Sequence, residues 1–215
     1  MLVDWVRLGL GTWVCPRFQR MVPTGPSTEQ GCSQMRELFA GATAAEVAAP
    51  RAGDDVVPEA DVVMDRACDL AATPSEVWPW IVQLGKGRAG WYLPRAVERV
   101  VPRSRRAARE VLPRWQGLAV GEVVPDYGGP DATFEVVQVD APHTLVYRST
   151  RGHTDVSWAI TLSGQEQGTR VHLRLRLGPV RRVRLAENLG GLFDALTIAG
   201  MAAGLRERLR QNQVD

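Results

Sequence analysis

Gly85, Gly87 and Gly90 spell G-x-G-x-x-G, the spacing with which a strand-to-helix turn cradles a pyrophosphate. That chemistry needs a strand before the glycines and a helix after them. Here they follow a helical run and lead into Trp91-Tyr92, so they are read as a tight turn that presents two aromatic rings. Acid–base chemistry finds few candidates. His143 and His153 fall in turns, and His172 falls on the polar side of a strand. Asp155 and Asp194 are the acids nearest to apolar runs, and both fall off the apolar side of their elements, toward solvent. No G-x-S-x-G, no H-E-x-x-H and no nucleophile signature occurs. No catalytic residue, metal site or cofactor is therefore assigned.

The aromatic residues are more informative. Trp91, Tyr92, Phe134, Tyr147 and Trp158 stand either in the core or on the wall of a pocket, and residue type alone leaves both readings open.

The elements that must position these rings can be read from periodicity. Thr73, Pro74 and Glu76 form a helix start in which Glu76 reaches back to the Thr73 amide. Val77, Trp78, Ile81 and Leu84 then recur at helical spacing up to Gly85, with Pro79 shortening or bending the helix. Asp61 to Ala71 reads as a first strand and Pro94 to Val101 as a second short helix. Arg103, Arg105, Arg106, Arg109 and Arg114 follow it as a solvated linker. Beyond Gly121 the period becomes 2, and Glu122–Asp126, Thr133–Asp140, Thr144–Thr150, Thr154–Ser163 and Thr169–Leu177 read as successive strands of an antiparallel meander. In the last two strands Val156, Trp158, Ile160, Leu162, Val171, Leu173, Leu175 and Leu177 share one face. His172, Arg174 and Arg176 mark the other as wet. A long helix from Val183 to about Leu209 covers the apolar face through Leu185, Leu189, Leu192, Phe193, Leu196, Ala199 and Ala203. Its glycines point to close backbone approach.

Composition bounds the partners. The chain has 215 residues, 45% of them hydrophobic, enough for one sizeable core. Lys+Arg 26 against Asp+Glu 24 leaves a net charge of +2, too balanced to select nucleic acid. Cys15, Cys32 and Cys68 form no paired pattern, which fits a reducing cytoplasm. Asp4 and Arg7 spoil the N-terminus as a signal sequence, and Asp194 spoils Leu189–Leu205 as a membrane span, so no stable membrane insertion is expected. Residues 1–58, rich in Pro and lacking strand alternation, read as a flexible appendage to a domain at 59–210, with a tail at 211–215.

This order of elements, together with the A-T-P-S-E-V-W-P-W-I-V-Q-L-G-K-G-R-A-G-W-Y stretch, Thr144-Leu145-Val146-Tyr147-Arg148 and Gly168-Thr169-Arg170-Val171, resembles the START/Bet v 1-like superfamily. Within it, the chain is similar to bacterial SRPBCC proteins of the polyketide cyclase/dehydrase and lipid-transport type. The resemblance implies an α+β helix-grip fold, in which a curved antiparallel sheet wraps the last helix around an apolar cavity. It makes Trp91, Tyr92, Phe134, Tyr147, Trp158, Leu173, Leu192 and Leu196 the candidate ligand-binding set. The expected function is binding or transport of a small hydrophobic or amphipathic molecule. The alternative is a cyclase or hydratase in which Tyr147 or Arg148 polarises a carbonyl. With Leu189, Leu192 and Leu196 facing the sheet, Ile198, Met201 and Leu205 form an outward stripe. That stripe would be covered by the Trp5–Val14 segment, by a second copy of the chain docking through this helix, or by a membrane surface.

Overall fold

The computed structural model describes residues 41–180 and 191–212. Six antiparallel strands form one sheet in the order β1-β6-β5-β4-β3-β2: β1 (Val62–Leu70), β2 (Val123–Pro125), β3 (Thr133–Asp140), β4 (Thr144–Arg151), β5 (Thr154–Gln165) and β6 (Gly168–Gly178). Among the described residues four α-helices accompany it: α1 (Ala44–Ala48), α2 (Pro74–Gln83), α3 (Arg95–Glu98) and α4 (Gly191–Asn212). The first strand pairs with the last one and forms one edge of the open sheet, and α2 and α4 pack on the same face. This is the helix-grip α+β architecture, and the meander follows the strand bounds expected from the period-2 pattern.

Register explains the inner face. Val136, Tyr147, Trp158, Leu175 and Met64 lie directly opposite one another across five strands, so they share one side of the sheet. The next row runs Leu145, Ile160, Leu173 and Arg66. At the start of α2, Glu76 accepts the Thr73 amide at 2.8 Å as expected, but the Thr73 hydroxyl donates to the same carboxylate at 2.8 Å. The helix is ten residues long with Pro79 inside it, and it buries Val77, Trp80 and Ile81.

Two expectations about faces are overturned. Ile198, Met201, Ala202, Leu205 and Leu209 of α4 are buried, whereas Leu196 is 58% exposed. The supposed outward stripe is the core face, and with it goes the reason for a covering arm, a second copy or a membrane surface there. The glycines decide the face. A Cβ on Gly204 would lie 2.7 Å from the backbone nitrogen of Leu93, so the helix can seat against the 92–93 backbone only on its Gly200–Gly204 side. Trp5–Val14, Leu185 and Leu189 lie outside the described residues.

The face expected to be wet is also covered. Residues 41–58, expected as part of the appendage, run across it, beginning with α1, whose Thr43–Glu46 capping box is complete. Arg174 donates to Asp65, to Asp54 and to the carbonyls of Glu46, Val47 and Ala49. His172 is 3% exposed, with Nε2 3.1 Å from Asp65. Burial alone would raise the Asp65 carboxyl, but the bonds from His172 and Arg174 outweigh it and hold it below its ordinary value. Arg170 pairs with Glu46 and Asp69, and Arg176 reaches the Val57 and Pro58 carbonyls. Alternating charges on a strand were read as solvated because their partners lie more than a hundred residues away in sequence. The described part of the appendage, residues 41–58, therefore packs against the sheet.

Candidate functional site

The glycine turn after α2 builds the site's roof. Gly85, Gly87 and Gly90 have φ of 137°, 71° and 86°, and Gly85 and Gly90 exchange backbone hydrogen bonds of 3.2 and 3.0 Å. A Cβ at Gly90 would sit 2.9 Å from the Ala107 Cα. The turn thus positions aromatic rings and holds no strand-to-helix nucleotide cradle. Trp91 leaves it over the inner face of the sheet, stacked on Trp158 at 6.2 Å, with Nε1 donating to the Thr197 carbonyl of α4 at 3.3 Å.

Around that pair the rings form a continuous wall. Tyr147 stacks on Trp158 at 5.6 Å, while Phe134 contacts Tyr147 at 5.7 Å and Trp158 at 5.8 Å. Trp91 and Trp158 remain half-buried. The structure therefore brings together Trp91, Phe134, Tyr147 and Trp158 of the expected set. It adds Tyr127, 39% exposed and edge-on to Trp91 at 6.4 Å, which lay hidden beside the Gly128-Gly129-Pro130 turn signal.

Other members of the expected set go elsewhere. Tyr92 is wholly buried on the far side of the turn, edge-on to Trp80, and its hydroxyl donates to the Trp80 carbonyl at 2.8 Å. It is a core residue. Leu173 is buried in the Leu145–Ile160 row of the core, one row from the aromatic wall. Leu196 points outward, because α4 presents the opposite face to the sheet. The side chain of Leu192 lies outside the described set. Arg148, the alternative carbonyl-polarising group, is on the outer face in an exposed bidentate pair with Glu135.

Polar groups of the inner face were largely missed. Asp194, expected toward solvent, lies within the grip 3.0 Å from the Arg66 guanidinium, and burial pushes its carboxyl up to about 6 against the pull of Arg66. Tyr147 is 3% exposed, yet its hydroxyl makes no hydrogen bond among the described residues, and burial raises its phenol well above the ordinary value. Arg88 enters from the glycine turn. Its Nη2 donates to the Val82 and Trp115 carbonyls at 2.9 and 3.1 Å, and its guanidinium lies over the Trp115 ring at 4.7 Å. Arg88 Nε and Trp115 Nε1 are both buried without an acceptor. Nothing in sequence marks Arg88, which sits between two turn glycines. Among the described residues no cluster of His, Cys, Asp or Glu could hold a metal ion.

A helix-grip sheet with an aromatic wall beneath its last helix defines the general class. The family model for polyketide cyclase/dehydrase and lipid transport matches residues 61–212, and the chain belongs to that SRPBCC-type family. No curated protein matches the chain. Similar solved structures include a Rhodobacter sphaeroides protein at 16% identity, covering 72% of this chain and 95% of that one with a TM-score of 0.46. CalU16 from Micromonospora echinospora shares 17% identity over 70% of this chain and 83% of its own, with a TM-score of 0.40. DynU16, a protein in the dynemicin biosynthetic locus, shares 16% identity over 70% of this chain and 48% of its own, with a TM-score of 0.41. Among the described residues no helix is long and apolar enough to cross a membrane.

Proposed function

We propose that the protein binds a small, flat hydrophobic or amphipathic molecule against the aromatic wall of Trp91, Phe134, Tyr147 and Trp158. The observation that carries the reading is the stacking of these rings on the inner face, with Trp91 and Trp158 left half-buried. Pre-stacked rings offer apolar area at little ordering cost, since their rotamers are already held by one another. Lipid transport and polyketide chemistry, the activities in the family description, both handle ligands of this kind. Native mass spectrometry of the protein as purified, with naphthalene titration read by tryptophan fluorescence, tests it. The expected result is a co-purifying mass or saturable quenching that Trp158→Leu removes. Neither signal up to the solubility limit of naphthalene would overturn the reading.

One observation favours a second reading as a cyclase- or hydratase-type enzyme. Asp194, paired with Arg66 inside the grip, has a carboxyl at about 6, in the range useful to a general acid or base. Such an enzyme would lose turnover, and keep ligand affinity, on Asp194→Asn.

A further inference from the structure

The inner face contains buried hydrogen-bond donors that the protein itself does not use. In folded proteins nearly every buried polar group has a partner, because an unpaired one forfeits its bonds to water and gains nothing in return. Two atoms break that rule outright, Arg88 Nε and Trp115 Nε1, and the Tyr147 hydroxyl, in a residue only 3% exposed, makes no hydrogen bond among the described residues. They are related in space. Arg88 lies over Trp115, and the Arg88 charge acts on the Tyr147 phenol more strongly than any other charged group does. All three can donate, and two of them can only donate.

We propose that Tyr147 and Arg88 form the polar pole of the ligand site and receive an oxygen acceptor, a carbonyl or carboxylate, carried on the flat apolar body that stacks on Trp158. The inference rests on the binding reading above and goes beyond it by naming the ligand's functional group and the two residues that meet it. The structural alternative, in which these side chains serve packing alone, explains the rings but not the donors. A Phe at position 147 would make the same stacking contacts with Trp158 and Phe134 without burying a hydroxyl. Likewise, Arg88 already holds the Val82 and Trp115 carbonyls through one nitrogen, so its buried Nε is surplus to that join. Direction also matters. Tyr147 projects from β4 on the inner face, whereas Arg88 comes from the glycine turn, so the two donors are supplied by different elements. Glu122 is the acid that acts on both groups, and it is exposed, with its carboxylate accepting the Ala119 amide at 3.0 Å.

Three probes with one aromatic body separate the possibilities: naphthalene, 2-acetonaphthone and 2-naphthoate, each titrated into wild type, Tyr147→Phe and Arg88→Gln. In wild type the ketone or the acid should bind about tenfold tighter than naphthalene, the worth of one well-placed hydrogen bond. Tyr147→Phe should remove that advantage, read as the ratio of ketone or acid affinity to naphthalene affinity within the same variant. Its melting temperature should equal or exceed that of wild type, since no internal hydrogen bond is lost. A gain confined to naphthoate and abolished by Arg88→Gln assigns a carboxylate. A gain shared by the ketone assigns a neutral carbonyl. Equal binding of all three probes, with no effect of Tyr147→Phe, would overturn the inference and leave the binding reading standing. Failure of naphthalene itself to bind would remove the binding reading.

Discussion

Tyr92 and Tyr147 are both buried phenols near an arginine, yet their surroundings are finished to different degrees. The Tyr92 hydroxyl is bonded to the Trp80 carbonyl, and Arg208 lies over its ring at 4.7 Å. Arg208 spends its nitrogens on Glu98 at 2.7 Å and on the Ala108, Leu93 and Gly204 carbonyls. Glu98 is shared with Arg109, which also reaches Glu207. On this side each buried charge has a partner, and α4 is locked to the 92–109 segment. On the Tyr147 side, donors are left over. A protein tolerates such a remainder where a ligand completes it, so the contrast separates the join from the site.

The largest expected effect tests the finished side. Glu98→Ala strands Arg208, which is wholly buried, and should cost about 3–5 kcal/mol of stability by chemical denaturation. A loss under 1 kcal/mol would mean that the join is as dispensable as the other side. Next comes Asp194. Its carboxyl is held at about 6 against an ordinary value near 4, so between those values the native state keeps a proton that the unfolded chain has released. Stability therefore falls as pH rises from about 4 to about 6, by up to about 3 kcal/mol, and is level above that. Asp194→Asn removes this slope. The melting-temperature difference between variant and wild type should move in the variant's favour as pH rises across that window, and a constant difference would show an unperturbed carboxyl. The smallest effect is the sharpest comparison. Tyr92→Phe should cost about 1 kcal/mol, because it removes a bonded buried hydroxyl and leaves the Trp80 carbonyl unpaired, while Tyr147→Phe should cost nothing. Equal costs would erase the distinction between the two sides.

The meander and the capped α2 were legible in the sequence, whereas which of the aromatic residues stand together was not. Alternation is a local property of a strand, and a helix cap is written within four residues. The face of α4 was not, since apolar residues occur on both of its sides. Gly200 and Gly204 carried the signal, but a glycine says only that something comes close, without saying what. Nor was the burial of His172 and Arg174, since a charged residue on a strand reads as solvated until its partners at Asp54 and Asp65 are placed beside it.

The sequence by itself determined the order and period of the elements, and through them the family and the fold, because those depend on neighbours within a few residues. Only the tertiary structure decided which polar groups are paired. Arg88 is half-buried and Arg208 wholly buried, yet it is Arg208 that is bonded to Glu98 and three carbonyls, while Arg88 keeps a donor in reserve. Pairing is a matter of distances between segments far apart in sequence, and no local pattern encodes it.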